Sequence, residues 1–578
     1  MEKRDVADAL QRVAAMLDLA GENPFKIRAY ENAAQAIAEF SGDLGEALET
    51  GRLRELRGIG SGIFANIETL WKTGSLPVQE ELEARFPPGL TECLGLPGLG
   101  VGKVRRLHEA LGIDSLDGLE QACRGGRLAG VPGFGEKTVA RILQGIAIRR
   151  SGAGLHRLPR AQAIAASLVS RLVESGRVAR AEVAGSLRRR RELVADIDLV
   201  VAAADPARLL EELPSLLGGT PAGSRSERSV RIPLREGLGV DISVARTESF
   251  GASLLWDTGS RAHIDALRAR AGATTMDFGA GGLFRPDTRE TVAAATEEEI
   301  YAALGLPWIP PELREATGEI EAAQRGALPD LISLGALKGL IHVHSSDSDG
   351  RAPLEEMLDA AREAGYQYVA LTDHSKTAAY AGGLTEERVL LQRERVRAYA
   401  LRHPSFSVFH GTEADIHADG TVDFGDEFLE GFDLVVASVH SRFGLSREEQ
   451  TRRLVRAVRN PRVSVLGHPS GRLLLSRPPL DADWDAVLDA AAESGCAVEV
   501  NGNPQRLDLE WSLCRKAVAR GILLALDPDA HSVAELGLVS YAVDVARKGW
   551  ATAASVLNAQ TAGELKEWLE RRRGKALR

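Results

Sequence analysis

Two aspartates in the stretch GSLRRRRELVADIDLV, residues 185 to 200, interrupt a run that otherwise predicts a buried strand. Residues i and i+2 of a strand point to the same face, so Asp196 and Asp198 project together while Ile197 turns into the core. The run GVDISVA alternates in the same way and places Asp241 on a second strand. Converging carboxylates repel each other unless cations lie between them, and such oxygen ligands suit Mg²⁺ or Mn²⁺. The pattern predicts a two-metal site for phosphoryl transfer.

The residues before this pair decide between a structural and a functional interpretation. A DxD pair alone is more often a strand end or an ion-pair partner of nearby arginines. Here Gly185 and Ser186 lie at a predicted strand-to-helix turn, and Arg189 follows one turn later. A hydroxyl, backbone N–H groups and a guanidinium in that arrangement can hold a triphosphate, which favours a nucleotide site. The other arginines of the RRRR run are expected to face solvent or a nucleic acid backbone.

Histidines and acidic residues cluster in the second half of the chain. Nine of the twelve histidines lie after residue 341, and six of these nine end short apolar runs. A lone histidine is more often structural than a ligand, but six in this position, with carboxylates among them, favour a metal centre. The candidate ligands are His342, His344, Asp349, His374, Glu413, His440, His468, Asp529 and His531. The other histidines of this half, His403, His410 and His417, fit no motif and are interpreted as surface or structural residues.

Two pairs within this set have the spacing of ligands on one strand face. His342 and His344 are two residues apart, as are Asp529 and His531. Side chains at this spacing project to the same side of a strand, so each pair can chelate one ion. Mixed imidazole and carboxylate ligands suit Mn²⁺, Zn²⁺ or Fe²⁺, and the sequence favours none of the three.

Three segments in the first quarter of the chain place a Gly-x-Gly turn before a predicted helix. They are residues 56–71, 96–111 and 131–143. Such a turn leaves backbone N–H groups pointing outward at a helix N-terminus, where the helix dipole favours an anion. One copy is as often only a tight turn, but three favour contact with a nucleic acid backbone. The predicted DNA-binding residues are Gly58, Gly60, Gly98, Gly100, Lys103, Gly133, Gly135 and Lys137.

Composition narrows the class of protein. The chain has 578 residues, of which 44% are hydrophobic and 26% charged, and this length predicts about three or four globular domains. No run approaches the roughly 18 apolar residues of a membrane span, and the N-terminus lacks the apolar core of a signal peptide, so we expect a cytosolic protein. The four cysteines have no CxxC spacing, which argues against disulfides and cysteine zinc sites.

The distribution of charge along the chain is more informative than the net charge. A net charge of −10 argues against nucleic acid binding through bulk positive charge. Residues 157 to 191 nevertheless contain nine arginines and only two acidic residues, which is a local basic patch.

The elements that must position these residues change along the chain. Residues 1 to about 90 read as helices with glycine-containing breaks, and Gly-x-Gly turns that open helices recur up to residue 143. From about 151 helices alternate with short β-rich runs, which is typical of an α+β domain. Residues 308 to 337 contain prolines and acidic residues and predict a linker. From Leu340 short apolar strands alternate with helices, with polar residues at the strand ends, which is typical of a βα barrel active site.

Over about residues 1 to 312 the order of these motifs, followed by WDTGSRAHIDALR at 256–268, resembles the family X DNA polymerases. The resemblance implies that Asp196, Asp198 and Asp241 hold two Mg²⁺ (or Mn²⁺) ions, with Asp241 as the base on the primer 3′-hydroxyl. It also implies a set of nucleotide-binding residues. They are Arg157, Gly185, Ser186, Arg189, Trp256, Gly259 and Ser260.

The nine histidine and acidic candidates match every ligand position of the PHP (polymerase and histidinol phosphatase) domain. This resemblance implies a distorted (βα)7 barrel with up to three metal ions, two of them bridged by Glu413. It implies hydrolysis of phosphoesters, as a metal-dependent 3′-5′ exonuclease that in some members also has abasic-site endonuclease or 3′-phosphatase activity.

Four residues, at three places in the motif pattern, depart from the family X pattern. Trp256 and Asp257 stand where two aromatics, Tyr-Phe, are usual, which bears on the discrimination of deoxyribose from ribose. Ile264 replaces the usual asparagine at the base edge, which bears on nucleotide affinity. Asn66 aligns with the lysine that forms a Schiff base in lyase-active members, and because an amide cannot be that nucleophile we expect no lyase activity by this route.

The sequence thus predicts a multidomain enzyme with helical helix-hairpin-helix domains, an α+β nucleotidyltransferase palm and a PHP barrel. The predicted segments are an N-terminal helical DNA-binding domain (1–90, lyase-like without the lyase lysine), a helix-hairpin-helix subdomain (91–150), the palm (151–250), a nucleotide-binding subdomain (251–312), a linker (313–337) and the PHP domain (338–578).

The predicted function is a DNA-directed DNA polymerase that fills gaps in DNA repair, including base excision repair, fused to a 3′-5′ exonuclease. Its partners would be gapped or primer-template DNA and dNTPs, and we expect a monomer in the bacterial cytosol and nucleoid. Two alternatives remain open: a PHP nuclease on a DNA-binding scaffold with weak polymerase activity, and a small-molecule phosphatase of the histidinol-phosphatase type.

Overall fold

The computed structural model describes residues 3–40, 44–56, 58–94, 96, 99–218, 226–234 and 237–575. The chain forms two compact units, Met1–Ala153 with Leu475–Arg477 and Gly154–Leu474 with Pro478–Arg578. The first unit ends close to the predicted end of the helix-hairpin-helix subdomain at residue 150. Of the predicted DNA-binding residues, Gly98 lies outside the described residues.

The first unit is helical throughout its described residues. Its helices are α1 (Lys3–Leu19), α2 (Pro24–Glu39), α3 (Leu44–Glu49), α4 (Ser61–Thr73), α5 (Pro77–Arg85), α6 (Pro88–Cys93), α7 (Val101–Leu111), α8 (Leu116–Arg124) and α9 (Glu136–Ser151). Their apolar faces bury two separate cores, one centred on α1, α2 and α4 and the other on α7, α8 and α9. Two small helical subdomains are therefore present, as the sequence predicts.

The Gly-x-Gly turns lie where the sequence places them. The N-caps of α4, α7 and α9 are Gly60, Gly100 and Gly135, and none of these caps has a side-chain hydrogen bond. Gly58 and Gly133, two residues earlier, have φ values of +99° and +93°, which glycine adopts at no steric cost. The turns therefore leave the first N–H groups of three helices without a side-chain acceptor.

The palm of the second unit has the α+β pattern of the prediction. Its elements are β1 (His156–Arg157), α10 (Leu158–Glu174), β2 (Arg180–Val183), α11 (Gly185–Arg188), β3 (Leu193–Val194), β4 (Asp196–Ala202), α12 (Pro206–Leu216), β5 (Ser229–Pro233) and β6 (Gly239–Ala245). Strands β2, β4, β6 and β5 form one sheet in that order.

The register of this sheet brings the predicted carboxylates together. Strands β4 and β6 are parallel, and Asp198 pairs with Asp241. Ile197 and Val240 alternate with these residues and are fully buried. The alternation argument of the sequence is therefore confirmed at both strands.

The next part of the unit is a small mixed subdomain. Its elements are α13 (Phe250–Thr258), α14 (Arg261–Ala273), β7 (Asp277–Gly279), β8 (Gly282–Phe284), β9 (Thr291–Ala293), α15 (Glu297–Ala303) and α16 (Glu319–Gln324). Strands β7, β8 and β9 form a separate sheet.

The segment predicted as a linker, 313–337, is packed rather than extended. Arg314 is fully buried and its guanidinium donates to the Glu297 carboxylate at 2.7 and 3.0 Å. Glu319 is also buried and contacts His263 Nδ1 at 2.7 Å. The acidic residues that suggested an exposed linker instead pair with buried cationic and imidazole groups.

The C-terminal part is a parallel barrel. Its elements are β10 (Gly339–Val343), α17 (Leu354–Glu363), β11 (Tyr368–Leu371), α18 (Glu386–Arg402), β12 (Ser407–Asp415), α19 (Asp426–Leu429), β13 (Leu434–Ser438), α20 (Arg447–Arg459), β14 (Val465–Leu466), α21 (Trp484–Ser494), β15 (Ala497–Asn501), α22 (Trp511–Ala519), β16 (Leu524–Asp527), α23 (Val539–Lys548) and α24 (Ala562–Lys575).

The seven strands pair in chain order, each parallel to the next. A parallel bridge between Val343 and Ala530 brings the last strand end back to the first and nearly closes the barrel. The strands are short and apolar because both of their faces are covered. The predicted distorted (βα)7 barrel is confirmed.

The described residues also give the lengths of the apolar helices and the state of the cysteines. None of the helices in this part of the chain is long and apolar enough to cross a membrane. Cys93, Cys123, Cys496 and Cys514 are free and buried.

Candidate active sites

A cavity of about 440 Å³ lies beside the palm sheet. It gathers most of the predicted polymerase residues with several that the sequence did not indicate. Its walls are Gly185, Ser186, Arg189, Asp196, Asp198, Trp256, Asp257, Gly259, Arg261, Ile264, Asp265 and Arg268. Asp241 is the register partner of Asp198, and Ser260 follows Gly259 and caps α14. Arg157 is not a wall of this cavity, and its guanidinium donates to the carbonyl of Leu474 at 2.9 Å.

The glycine of the GS motif is required by the aspartate opposite it. Gly185 begins α11 with φ +59°, and a Cβ at this position would lie 1.7 Å from Asp198 Oδ2. Only a residue without a side chain lets the turn approach β4 this closely. The turn and the strand that carries Asp196 and Asp198 are therefore packed as one structure.

The carboxylates of the palm need a cation between them. Burial, together with the neighbouring carboxylates of Asp196, Asp241 and Asp257, raises the pKa of Asp198 to about 7. Burial also raises the pKa of Asp241. The donors are all carboxylate oxygens, which fit Mg²⁺ or Mn²⁺.

One arginine that the sequence did not indicate already faces these carboxylates. Arg231 Nη1 lies 2.9 Å from Asp241 Oδ2 and 3.5 Å from Asp196 Oδ2. Arg231 pairs directly with Asp241 across β5 and β6. The signal in the sequence is the polar position between the buried Val230 and Ile232 in RSVRIPL.

The four consecutive arginines do not face solvent or DNA as a group. Arg188 donates to the buried Glu297 at 2.6 and 2.9 Å. Arg189 Nε donates to Glu315 Oε1 at 3.1 Å, and its Nη1 donates to the carbonyl of Thr258. The other two pair with acidic residues as well, Arg190 with Asp544 at 3.5 Å and Arg191 with Glu315 at 3.7 Å. The expectation that the other arginines face solvent or DNA is wrong for Arg188, which the buried Glu297 holds. The side chains of Arg190 and Arg191 are 37% and 45% exposed, although both pair with acidic groups distant in sequence.

Of the residues that depart from the family pattern, Trp256, Asp257 and Ile264 line the cavity. At residue 257 a carboxylate stands where the family pattern has an aromatic side chain. The Asp257 carboxylate forms a bidentate ion pair with Arg228, and one of the two contacts is 3.1 Å. Trp256 packs edge-on against Phe278, with ring centroids 5.8 Å apart. Ile264 is buried at the start of α14.

In the first unit, Asn66, which the family X resemblance aligns with the lyase lysine, lies in α4. Its amide donates to the Tyr30 hydroxyl at 2.7 Å. Of the predicted phosphate-binding lysines, Lys137 is exposed, while the Lys103 ammonium lies 5.9 Å from the centroid of the Phe134 ring.

The second site lies at the carboxyl ends of the barrel strands and unites all nine predicted ligands. Three overlapping groups have ligand atoms within 4.8 Å of one another: His344 with Asp349, His374 and His531; His342 with His344 and Asp529; and His374 with Glu413 and His440. His468 Nε2 lies 2.9 Å from Glu413 Oε1.

Glu413 is at the centre of this cluster. Its Oε2 lies 3.4 Å from His342, 3.7 Å from His344 and 2.9 Å from His374. Its Oε1 lies 3.2 Å from His440. A carboxylate whose two oxygens face different imidazoles can bridge two ions, as the PHP resemblance implies.

Left-handed backbone turns aim several ligands into the centre. His342 has φ +62° and Asp529 has φ +51°. Strand β10 ends at Val343 and β16 at Asp527, so His344, Asp529 and His531 lie beyond the strands. The predicted pairs therefore converge through turns at the strand ends and not through a shared strand face. Strained residues of this kind are typical of functional sites.

Two carboxylates that the sequence did not indicate orient the ligands. Glu499 Oε1 lies 2.5 Å from His342 Nδ1, and Asp415 Oδ1 lies 2.6 Å from His440 Nδ1. A carboxylate on the outer ring nitrogen fixes the tautomer and makes the inner nitrogen a better ligand. Both were detectable as charged residues in apolar strand runs, AVEVN and GTEADI.

The electrostatics of the cluster divide the histidines into two classes. Burial lowers the pKa of His344 and of His468 to about 3, so both imidazoles are neutral and can donate a lone pair. Burial opposes charge on His374 too, but Glu413 and Asp349 outweigh it and raise the pKa to about 10. The carboxylates thus attract positive charge into the centre, and the mixed N and O donors fit Mn²⁺, Zn²⁺ or Fe²⁺.

Family models match four parts of the chain. The DNA polymerase beta thumb matches residues 253–315, and the PHP domain matches residues 341–503. A helix-hairpin-helix domain matches residues 1–76, and a SAM-like helix-hairpin-helix tandem matches residues 90–147.

Similarity to curated proteins extends over the full length. The DNA polymerase/3′-5′ exonuclease PolX of Bacillus subtilis (strain 168) is 35% identical over 576 residues, which cover 99% of this chain and 100% of the relative. The chain belongs to the family X DNA polymerases that carry a PHP domain. Shorter relatives include a probable phosphatase of Thermoanaerobacter sp. (strain X514), 27% identical over 40% of this chain and 95% of the relative.

In this family X polymerase the three histidines without a motif are structural or exposed. Burial lowers the pKa of His410 to about 3, and His410 Nε2 contacts Gln392 at 3.1 Å. His403 stacks on Tyr399 with centroids 4.4 Å apart, and the side chain of His417 is 40% exposed. Their interpretation from the sequence is confirmed.

Proposed function

We propose that this family X polymerase fills gaps in DNA during repair, and that its PHP barrel removes nucleotides from DNA 3′ ends. The observation that carries the polymerase assignment is the cavity in which Asp196 and Asp198 face Ser186 and Arg189. A carboxylate set for divalent cations next to a set of anion ligands fits a nucleoside triphosphate and its metal ions.

Asp196, Asp198 and Asp241 would hold two Mg²⁺ or Mn²⁺ ions. When bound, these ions activate the primer hydroxyl and stabilise the charge on the leaving pyrophosphate. Asp241, whose side chain is 31% exposed, would accept the proton of the 3′-hydroxyl. Arg189 and Ser186 would orient the triphosphate of the incoming dNTP, and the predicted Gly259–Ser260 turn would lie beside its sugar.

The nine PHP ligands would hold up to three ions of Mn²⁺, Zn²⁺ or Fe²⁺. When bound, these ions supply a nucleophilic hydroxide at neutral pH and stabilise charge on the phosphate. Glu499 and Asp415 would fix the tautomers of His342 and His440. Arg506 Nε, 3.6 Å from Asp529 Oδ2, would add a positive charge for the scissile phosphate.

The substrate would be gapped or primer-template DNA together with dNTPs. The helix openings at Gly60, Gly100 and Gly135 would hold the DNA backbone through N–H groups, aided by Lys103 and Lys137. We further propose that the protein acts as a monomer in the bacterial cytosol and nucleoid, where this substrate lies.

The test is extension and degradation of one gapped duplex by wild type, Asp196→Ala and His344→Ala in Mg²⁺ and in Mn²⁺. We expect Asp196→Ala to lose extension and keep 3′-end degradation, and His344→Ala to show the reverse. Degradation that persists in His344→Ala would contradict the assignment of the nuclease to the PHP barrel.

One observation favours a nuclease with weak polymerase activity as the second candidate. Asp257 puts a carboxylate into the nucleotide cavity, and Ile264 puts an apolar group where a base-edge contact is usual. In that case wild type would show little extension at any dNTP concentration, and Asp196→Ala would leave that residual extension unchanged.

A further inference from the structure

One buried lysine of the PHP barrel directs its hydrogen bonds into the polymerase part. Lys548 is the last residue of α23, and its side chain is fully buried. Its ammonium donates to Glu315 Oε1 at 2.5 Å, to the Arg189 carbonyl at 3.0 Å and to the Glu312 carbonyl at 3.4 Å. An ammonium has three N–H bonds. All three acceptors precede the barrel in the chain.

These contacts fix the main chain of Arg189 directly and its guanidinium through Glu315. The lysine holds the main-chain carbonyl of Arg189 directly. It also holds the Glu315 carboxylate, which accepts from Arg189 Nε at 3.1 Å. Arg189 in turn lines the nucleotide cavity beside Ser186 and Asp198. The lysine therefore contacts a wall residue of the cavity directly without being one of its walls.

The charges of this cluster depend on one another. Burial alone would raise the pKa of Glu315, but Lys548 and Arg189 outweigh it and lower the pKa. Burial lowers the pKa of Lys548 to about 8, although Glu315 opposes this shift. Arg191 lies 3.7 Å from the second oxygen of Glu315. Removing one member from such a buried group leaves the others without full compensation.

We propose that Lys548 is a positioning residue of the polymerase site, which fixes Glu315 and the main chain of Arg189 so that the guanidinium meets the triphosphate. The inference rests on the proposed role of Arg189 in nucleotide binding. The PHP barrel thereby contributes to nucleotide affinity at the polymerase site, separately from its own hydrolysis.

A variant of the neighbouring Arg547 distinguishes the positioning of Arg189 from the attachment of the barrel to the polymerase part. Arg547 Nε donates to Glu312 Oε1 at 2.9 Å, and its Nη1 donates to the Ile332 carbonyl at 2.8 Å. Arg472 of the barrel also pairs with Glu192 of the palm at 2.9 Å. Neither arginine contacts Arg189 in these bonds. Arg547→Met therefore weakens the same interface and serves as the matched control.

The experiment compares full-length wild type, Arg189→Lys, Lys548→Met and Arg547→Met on a gapped duplex. Methionine keeps an unbranched chain against the Trp511 ring, whose centroid lies 4.9 Å from the Lys548 ammonium. Loss of a buried partner predicts that Lys548→Met raises KM for dNTP, and Kd for a non-hydrolysable dNTP analogue, about tenfold. We expect kcat and the PHP hydrolysis to change less than about twofold, since neither set of reacting groups is touched.

Arg189→Lys should also raise KM, and Arg547→Met should leave it unchanged. Equal KM values for Lys548→Met and Arg547→Met would overturn the inference. If Lys548→Met does not fold, Glu315→Gln replaces it, and an unchanged KM in that variant would overturn the inference as well. An unchanged KM in Arg189→Lys would instead refute the proposed role of Arg189, so the two failures are distinguishable.

Discussion

The carboxylate of Asp198 lies against the Cα of Gly185, so closely that a Cβ at residue 185 would be 1.7 Å from Asp198 Oδ2. A single methyl group at this position must displace Asp198, a proposed metal ligand, or the turn that would hold the triphosphate. We expect Gly185→Ala to lower kcat/KM for primer extension by at least about 100-fold, since misplacement of about 1 Å can cost that much.

A second glycine of the palm gives the control for this variant. Gly176 has a similar φ of +65°, and a Cβ there meets no atom within 4 Å. Gly176→Ala therefore carries the same backbone strain without the clash, and we expect its extension kinetics to match wild type. Extension assays and 3′-end degradation are measured on both variants. Equal losses in the two would mean that strain, and not the contact with Asp198, is responsible.

The contact between Glu499 and His342 predicts a loss of metal from the PHP site alone. Glu499→Gln removes the charge that holds the outer nitrogen of His342. Loss of such a hydrogen-bond partner of a metal ligand typically lowers metal affinity about 10- to 100-fold. Mn²⁺ binding to metal-free protein and metal content after dialysis measure the effect. Glu493→Gln, at an exposed carboxylate that pairs with Arg459, is the control. Wild-type affinity in Glu499→Gln would refute this role.

The position of Tyr380 predicts that its ring lets the PHP site distinguish a DNA 3′ end from a small phosphoester. Its side chain is 72% exposed although its ring lies 6.4 Å from His374 and 6.3 Å from His440. Base stacking on an aromatic ring contributes about 1–3 kcal/mol, so we expect Tyr380→Ala to raise KM for a DNA 3′ end about 5- to 100-fold. Hydrolysis of p-nitrophenyl phosphate, which has no base, should change little.

Tyr380→Phe keeps the ring and should behave as wild type on both substrates. If Tyr380→Ala lost both activities equally, the ring would support the metal ligands and not a nucleobase. If wild type itself hydrolysed the phosphomonoester in preference to the DNA 3′ end, the result would favour the small-molecule phosphatase alternative.

The sequence predicted those site residues whose spacing repeats within one strand or one turn. Asp196, Asp198 and Asp241 were predictable because the alternation of side chains along each strand follows from local pattern. The nine PHP ligands were predictable as polar residues at the ends of apolar runs. Their left-handed turns, at His342 for example, were not, since non-glycine residues adopt φ > 0 only under constraints from distant contacts.

Among the residues that the sequence did not indicate are basic residues whose acidic partners lie on other elements. The pairs Arg231 with Asp241 and Arg228 with Asp257 cross between elements, and no local pattern marks a basic residue as a partner of one carboxylate over another. The error over residues 313–337 has the same cause. A polar segment is buried there because Arg314 meets Glu297, and hydropathy alone assigns such a segment to the surface.

The buried Glu297 gives a prediction about the stability of the subdomain that contains α15 and α16. Its carboxylate accepts two hydrogen bonds from Arg188, two from Arg314 and one from Trp308 Nε1 at 3.0 Å. Burial alone would raise the pKa of Glu297, but Arg314 and Arg188 outweigh it and hold the pKa far below the ordinary 4.5. Removing one partner of a buried pair costs about 3–5 kcal/mol, so Glu297→Gln should destabilise this subdomain by that order.

The pH dependence of this effect follows from the direction of the shift. A carboxyl whose pKa is lowered by folding stabilises the fold above its unfolded value of 4.5, and that contribution is lost as the pH falls below it. Hydrogen exchange of α15 and α16 at pH 7 should therefore be much faster in Glu297→Gln than in wild type. The two should converge as the pH is lowered below 4.5. A difference that stayed constant over this range would show that lost packing, and not the charge of Glu297, accounts for the destabilisation.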